Sequence, residues 1–411
     1  MKKTFVVILG VLVFMVFCLA WGATTETVKR ERAILRQGPG SFFPAVAELA
    51  QGTAVEVRQE SDGWLNVQVD EYSGYISSKA IQGQPQKQDP LARLSDKPSV
   101  TRVSRSGVSA AVKGFAERFT TRLDGDTSFL NILYSYQMDP AAYQRFRDET
   151  YRGRNLRAIQ RRIDIPRTKV PEVFSFSEEG VGLAIATKVA EMGIYENKPV
   201  QDYVNYVGNL VVAATNAYDI GFKFFILDTD KVNAYSCPGG IVFVSRGALR
   251  QMENEAELAC FLGHEVAHVV LRHGMREMEK RRPMVTADNA FMELDSQVDM
   301  TPEMQATNQD LESMALEAYE TIFKGRLEGY EEEADTYGMI YAARAGYDPR
   351  AMANYLAKLS RGNQLSGNAH YTPQQNAERL SQVNKWLDHQ RMPERLLEYN
   401  PERFHRWMRG L

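Results

Sequence analysis

The sequence predicts an α+β protein: a mainly helical domain with a small β-sheet, preceded by a small all-β barrel. In residues 28–82, apolar and polar side chains alternate between Gly and Pro turns, as they do in short antiparallel strands. From residue 108 onward, apolar side chains recur at helical spacing instead. Residues 83–107 are rich in Gln, Pro, Ser and Lys without periodicity, which predicts a flexible linker.

The composition is that of a globular protein, with 44% hydrophobic and 25% charged residues in a chain of 411. The formal net charge is −3. A mildly acidic chain has no general affinity for nucleic acid, so we expect no nucleic-acid partner. Beyond the first twenty residues, no segment is apolar for long enough to span a bilayer.

The N-terminus has the pattern of a secretory signal. Two lysines precede an apolar run at residues 4–20, and Ala20-Trp21-Gly22 offers small residues for cleavage. We therefore expect residues 1–22 to be removed and the protein to be exported to the periplasm or cell envelope. The alternative is an uncleaved N-terminal helix that anchors the chain, because the run approaches the minimum spanning length of about 17 residues.

Two cysteines would remain after cleavage, Cys237 and Cys260. An oxidising compartment permits a disulfide between them. A small buried residue on a helix is the simpler interpretation of Cys260. The sequence leaves the choice open.

The most specific motif is His264-Glu265-Val266-Ala267-His268. On a helix, positions i and i+4 share one face, so both imidazoles can bind a single metal ion. Glu265 projects beside them, where its carboxylate can take a proton from water, as in a zinc hydrolase. The alternative is a core helix with two hydrogen-bonded histidines.

The flanking residues predict a buried helix around this motif. Asn254 and Glu257 are typical of a helix N-cap and its N3 partner. The intervening residues are apolar on most sides, which predicts burial and gives a rigid platform for ligands. Gly274 is expected to end the helix at its C′ position.

A catalytic zinc site needs a third protein ligand. The pattern HExxHxxGxxH fails, because Leu271 and Gly274 stand where Gly and His are required. Glu331 and Asp335 are again i and i+4 on a second predicted helix. Glu331 can bind the metal, and Asp335 can accept the spare N–H of a ligating histidine. The alternative is an exposed acidic start of a helix.

These motifs resemble the HtpX/BepA/Oma-like family of zinc metallopeptidases. The segments HEVAHVVLRH (264–273) and EEEAD (331–335) carry the resemblance, and NAYSCPGG (233–240) is similar to the family's NAFxxPGG. The family implies a zincin-type (gluzincin) fold with a core at 178–390 and one Zn²⁺ per chain. Its ExxxD glutamate maps onto Glu331. The lack of later spanning segments predicts the family's soluble, exported branch.

Family members often carry a His and an Arg in a further motif, HPxxxxR, near the metal and the transition-state oxyanion. The corresponding residues here are His370 and Arg379, although Pro is displaced and the spacing is longer. His370 follows a Gly- and Asn-rich segment. It could occupy the fourth position of zinc and hold the enzyme latent, stabilise the oxyanion, or be a surface residue.

Residues 28–82 resemble the bacterial SH3 domain. The matching features are LRQGPG at 35–40, GWLNV at 63–67 and Gly74-Tyr75. The resemblance implies a peptide or cell-wall ligand, and a passive spacer is the alternative.

The remaining segments complete the predicted peptidase domain at 108–390. Arg154, Arg157 and Arg161 would share a helix face, which could contact an anionic membrane surface or an acidic partner, or be solvated. An insert between residues 275 and 328 holds seven methionines and could form a lid or fill the core. Asp139-Pro140, Asp348-Pro349 and Thr372-Pro373 predict helix starts, and residues 391–411 a helical tail.

Together these features predict a zinc-dependent endopeptidase of the cell envelope. The family resemblance implies protein quality control, with unfolded or misassembled envelope polypeptides as substrates. The rival interpretation is a non-catalytic binding or chaperone-like protein with a silent or structural zinc site. A complete HExxH favours the enzyme, because a structural site has no need of Glu265.

Overall fold

In a computed structural model of the chain, the fold divides as predicted into an N-terminal all-β region and a mainly helical region with a small sheet, which confirms the α+β class. The structure describes residues 316 and 320 and these ranges: 24–30, 32–82, 100–102, 125–168, 176–281, 328–361, 372–390 and 397–411. The expected signal or anchor at residues 1–22, most of the insert and His370 lie outside these residues.

The N-terminal sheet is antiparallel and has seven strands in the order β1-β4-β5-β6-β2-β3-β7. The strands are β1 (Thr24–Thr27), β2 (Arg32–Arg36), β3 (Ala45–Ala50), β4 (Ala54–Ser61), β5 (Trp64–Val69), β6 (Tyr72–Ser77) and β7 (Val100–Arg102). The predicted alternation holds: Leu65, Val67 and Val69 point into the core. One expectation is corrected, because β7 lies in the predicted linker and pairs with β3.

A tyrosine fastens this sheet to the helical region. The hydroxyl of Tyr218 donates to Gly63 O at 2.8 Å and lies 3.1 and 3.0 Å from the hydroxyls of Ser77 and Ser78. The Tyr218 ring packs edge-on against Trp64, with 5.8 Å between centroids. The SH3-like domain is therefore docked on its neighbour through specific contacts.

The helical region consists of twelve α-helices among the described residues. They are α1 (Ser128–Ser135), α2 (Pro140–Thr150), α3 (Leu156–Gln160), α4 (Phe176–Val189), α5 (Lys198–Ala213), α6 (Arg246–Arg250), α7 (Glu255–Val270), α8 (His273–Arg281), α9 (Glu331–Arg344), α10 (Arg350–Ser360), α11 (Pro373–His389) and α12 (Pro401–Trp407). The predicted starts agree to within a residue: Asp139 caps α2, and Thr372 forms a capping box with Gln375 at α11.

A small mixed sheet packs beside α7. Its strands are β8 (Lys223–Leu227), β9 (Ala234–Cys237) and β10 (Ile241–Ser245). The central strand is β10, which pairs in parallel with β8 and antiparallel with β9. In the described part of the chain, β9 is therefore an edge strand.

The helix that carries HExxH is buried as predicted. Asn254 Oδ1 accepts from Glu257 N at 2.9 Å, which confirms the N-cap. Gly274, however, lies within α8. The residue that turns the chain out of α7 is Arg272, with φ of 54°, in the left-handed region that Gly usually occupies.

The C-terminal segment is part of this core. The carboxylate of Glu255, the first residue of α7, accepts hydrogen bonds from Tyr203 at 2.7 Å, Tyr347 at 2.9 Å and the guanidinium of Arg403 in α12. Because the Glu255 side chain is fully buried, these partners supply the compensation that a buried charge requires. The predicted tail is thus anchored to the start of the HExxH helix.

Cys237 and Cys260 are both free and buried, so the disulfide between them that the sequence left open is absent. Burial raises the pKa of both thiols. Within the residues that the structure describes, no helix has the length and apolar character needed to cross a membrane.

The predicted basic helix face is corrected, because α3 spans only Leu156–Gln160 and leaves Arg154 and Arg161 outside the helix. Arg154 donates to Gly346 O at 2.5 Å, and the guanidinium of Arg157 lies 3.3 Å from Asp62 of the SH3-like domain. Contact of this face with a membrane stays a prediction. Of the seven methionines in the insert, Met275 is buried in the core.

Candidate metal centre

Three residues predicted as ligands converge between α7 and α9. Nε2 of His264 and Nε2 of His268 are 3.1 Å apart, and the Glu331 carboxylate lies 3.3 Å from the first and 3.4 Å from the second. All three side chains are buried, and their ligand atoms lie within 4.8 Å of one another. Two imidazoles and one carboxylate are the set that catalytic zinc sites use.

Two glycines allow these helices to approach closely enough. A Cβ on Gly338 of α9 would lie 2.6 Å from the backbone nitrogen of His264. A Cβ on Gly263 of α7 would lie 2.6 Å from Gly338 O. The contact therefore admits no side chain on either residue, and it brings Glu331, two turns before Gly338, within reach of the histidines.

One oxygen of Glu331 fits a metal ion particularly well. Oε2 is buried and accepts no hydrogen bond of regular geometry within the described residues, although His264 Nε2 and Arg379 Nη1 each lie 3.3 Å from it. A buried carboxylate oxygen without a regular hydrogen bond costs free energy, so it requires an explanation beyond these two long contacts. A cation bound to the two Nε2 atoms supplies one. The residues present therefore fit a divalent metal.

His264 is oriented by a carboxylate, as the sequence predicted. Its Nδ1 lies 2.8 Å from Asp335 Oδ1, which leaves Nε2 facing the site. Burial lowers the pKa of His264, but Glu331 and Asp335 outweigh it and raise this pKa to about 10. A metal ion must therefore compete with a proton for His264.

Arg379 reaches the site through these two carboxylates. Its Nε and Nη2 donate to the two oxygens of Asp335 at 2.9 and 2.6 Å, and its Nη1 lies 3.3 Å from Glu331 Oε2. Burial would raise the pKa of each acid, but Arg379 and His264 outweigh it, so both pKa values lie below their usual range. All three guanidinium nitrogens of Arg379 thus face the carboxylates of Asp335 and Glu331. That geometry favours a positioning role for Arg379 over the expected contact with an oxyanion.

His268 is oriented by a residue that the sequence analysis left without a role. His268 Nδ1 lies 2.9 Å from Nδ1 of His273, whose Nε2 lies 3.3 Å from the Glu333 carboxylate. Burial lowers the pKa of His273 to about 3, so this imidazole is neutral near pH 7. The hydrogen bond from His273 lowers the pKa of Glu333 to about 2. The sequence did contain a sign of this role, because His273 is the last residue of the segment HEVAHVVLRH that resembles the family.

Glu265, the predicted base, is buried beside the histidines and is held by strand β9. Ser236 Oγ donates to Glu265 Oε2 at 2.9 Å. Ser236 lies within NAYSCPGG, but its type alone gave no sign of this contact. A small pocket next to the site is lined by Ser236, His268, Arg272 and Met275, among others.

The fold and the site together define a metallopeptidase domain of the HExxH class. Residues 199–387 match Peptidase family M48, and residues 31–82 match the bacterial SH3 domain. The chain therefore carries an M48 peptidase domain behind a bacterial SH3 domain, as the motifs indicated.

Several relatives support this assignment. A beta-barrel assembly-enhancing protease of Yersinia pestis is 34% identical over 158 residues, which are 38% of this chain and 32% of the relative. The mitochondrial metalloendopeptidase OMA1 of Arabidopsis thaliana is 29% identical over 157 residues, 38% of this chain and 29% of the relative. The chain thus spans about a third of the length of these curated relatives.

Proposed function

We propose that this protein is a zinc-dependent endopeptidase of the cell envelope that acts in protein quality control. The observation that carries the proposal is the convergence of the buried His264, His268 and Glu331 side chains, whose ligand atoms lie within 4.8 Å of one another, with Glu265 beside them. Two nitrogens and one oxygen as donors favour Zn²⁺ over Mg²⁺ or Ca²⁺, which prefer oxygen ligands.

Zn²⁺ at this site would supply Lewis acidity, which lowers the pKa of water from about 15.7 toward about 7 and polarises a carbonyl group. Glu265 takes the proton from the attacking water and passes it to the leaving amine. Ser236 fixes the rotamer of Glu265 through its hydrogen bond. Asp335 and Arg379 keep Nε2 of His264 turned toward the metal position.

The substrate would bind as an extended polypeptide along β9. Strand β10 is paired with β8 on one side and with β9 on the other, so it offers no free edge to a substrate. Strand β9 lies at an edge in the described part of the sheet and carries Ser236 next to Glu265. Backbone pairing with β9 would place a scissile bond near the base with little sequence preference.

The location and biological role rest on two supports. The lysine pair and apolar run at residues 1–20 favour export, and the name of the Yersinia relative links that protein to β-barrel assembly. Unfolded or misassembled envelope polypeptides are the substrates that this combination suggests. Tyr218 occupies one face of the SH3-like domain, so a peptide or cell-wall ligand would bind elsewhere on that domain.

The decisive experiment measures metal content and casein cleavage on the purified mature protein. We expect about one zinc per chain, cleavage that a chelator abolishes and zinc restores, and no cleavage by Glu265→Gln with its zinc retained. Zinc-loaded protein that does not cleave casein or unfolded envelope proteins would support the binding-protein alternative. Loss of zinc from Glu265→Gln would contradict its role as base.

His370 remains a separate proposal within this function. His370→Ala should raise basal proteolysis if the residue blocks the metal and lower kcat if it stabilises the oxyanion. Unchanged kinetics and zinc content would reject both roles.

A further inference from the structure

We propose that His273 is the positioning residue for the metal ligand His268, and that Glu333 holds His273 in the required tautomer. The proposal rests on the zinc site described above. It assigns two residues to that site which neither the motif nor the family match identifies. The arrangement is a chain of three side chains that runs outward from the metal position: imidazole, imidazole, carboxylate.

The direction of each hydrogen bond follows from His268. Its Nε2 faces Nε2 of His264 at 3.1 Å and Glu331 Oε1 at 3.4 Å, so this atom is the metal ligand. A neutral imidazole that binds metal through Nε2 carries its proton on Nδ1. His268 Nδ1 must therefore donate to Nδ1 of His273, 2.9 Å away.

The same reasoning fixes the next link. Because Nδ1 of His273 accepts, its proton lies on Nε2. That atom donates to Glu333 Oε2 at 3.3 Å. Arg276 Nη1 also donates to Glu333 Oε2, at 3.0 Å, and completes the chain with a cation. Each donor thus meets an acceptor, and the chain has only one self-consistent set of tautomers.

A backbone turn, an ion pair and a stacked ring together place His273. The left-handed turn at Arg272 reverses the chain after α7, so that His273 folds back against His268. Arg272 is held there by the buried carboxylate of Glu178, with Nε to Oε1 at 2.6 Å. The His273 side chain is fully buried, and the Tyr330 ring stacks on it with centroids 4.6 Å apart. Neither ring can rotate freely in this packing.

The two ligating histidines are therefore supported in different ways. Asp335 contacts Nδ1 of His264 directly, whereas Nδ1 of His268 contacts the His273 imidazole, which in turn contacts the Glu333 carboxylate. Loss of an outer partner of this kind typically weakens metal binding by about 10–100-fold. Loss of His273 should fall in that range, and loss of Glu333 should have a smaller effect because it acts through His273.

The test compares two replacements of His273 in the full mature chain. His273→Asn retains an oxygen acceptor near the position of Nδ1, whereas His273→Leu fills the space without an acceptor. Zinc affinity is measured by competition with a chromogenic chelator, and the Co²⁺ absorption spectrum reports ligand geometry. We expect His273→Leu to bind zinc about 10–100-fold more weakly with an altered Co²⁺ spectrum, and His273→Asn to recover most of the affinity.

Two controls separate a positioning role from a general loss of structure. Thermal unfolding of the metal-free proteins detects misfolding. Glu333→Gln tests the hydrogen-bond series without altering the buried His273 ring, and the exposed Glu332→Gln is its matched control. Wild-type affinity in His273→Leu, or equal losses in Leu and Asn variants with Glu333→Gln unaffected, would overturn the proposal. If the wild-type chain itself binds no zinc, the proposed function fails and this inference with it.

Discussion

Ser236 on strand β9 donates a hydrogen bond to Glu265 on helix α7, with 2.9 Å between Oγ and Oε2. The bond joins residues 29 positions apart and ties the edge strand to the predicted base. Movement of β9 would therefore be transmitted to the carboxylate that handles the proton. Both side chains are buried, so water does not compete strongly for this contact.

The first prediction follows from that bond. Ser236→Ala removes the donor, so Glu265 should sample other rotamers and kcat should fall about 10-fold, the effect of losing one hydrogen bond to a charged group. Zinc content should not change, because Ser236 does not contact a ligand. Steady-state peptide cleavage and metal analysis measure the two effects, with exposed Ser135→Ala as the control. An unchanged kcat would show that Glu265 is positioned without Ser236.

The second prediction concerns the acidic start of α9. Glu331→Ala should deplete zinc and activity together, because a ligand is lost. Asp335→Ala should cost about 10–100-fold in metal affinity, since it removes the partner of His264. Glu332→Ala should match the wild type. Zinc depletion in the Glu332 variant would show that the third ligand has been assigned to the wrong residue.

The third prediction concerns the glycine contact between α7 and α9. A methyl group at Gly338 would lie 2.6 Å from the backbone of His264, so Gly338→Ala should force the helices apart. We expect a loss of about 1–3 kcal/mol in unfolding free energy and weaker zinc binding. Gly329→Ala is the matched control, because its Cβ would meet nothing within 4 Å. Denaturant unfolding and zinc titration provide the comparison, and equal stability of the two variants would contradict the close packing.

The fourth prediction concerns domain docking. Tyr218→Phe keeps the ring beside Trp64 but removes the hydroxyl that contacts Gly63, Ser77 and Ser78. The docked state should lose about 1–3 kcal/mol, and Tyr218→Ala should allow the two domains to unfold in separate transitions. Calorimetry detects this, with Tyr75→Phe as the control. A single transition of unchanged midpoint in the Ala variant would show that docking does not depend on Tyr218.

The fifth prediction concerns pH. Burial, helped by Arg36, lowers the pKa of Lys223 to about 8, against 10.5 for an ordinary lysine. Between these values the unfolded chain binds more protons than the folded one, so stability contributed by this residue rises with pH. The full shift corresponds to roughly 3 kcal/mol. The free energy of unfolding of Lys223→Met, measured from pH 7.5 to 10.5, should lack this rise relative to the wild type.

Much of the site could be predicted because its parts are local. His264 and His268, and likewise Glu331 and Asp335, are separated by one helical turn, so spacing alone places each pair on one face. The structure brings the three predicted ligands together and places Asp335 against His264. Helix starts at Asp139, Asn254 and Thr372 were equally readable, because a cap depends on the next three residues.

The remaining features depend on how distant segments pack. Ser236 meets Glu265 only because β9 lies on α7, and Arg379 meets Asp335 across 44 residues of sequence. The preference of Gly for helix ends predicted that α7 ends at Gly274. In the structure the chain turns at Arg272 instead, and the ion pair between Arg272 and Glu178 stabilises that turn. Strand β10 is central in its sheet only because β8 and β9, which are distant from each other along the chain, pair with its two edges.

The sequence by itself thus determined the α+β class, the HExxH helix, and the residue types able to hold a metal, since each is encoded in spacings of a few residues. The tertiary structure alone decided which side chains support those ligands, which strand lies at the edge of the described sheet, and how the SH3-like domain is attached. The physical reason is that hydrogen bonds and close packing between distant segments depend on the geometry of the whole core, which no short-range pattern specifies.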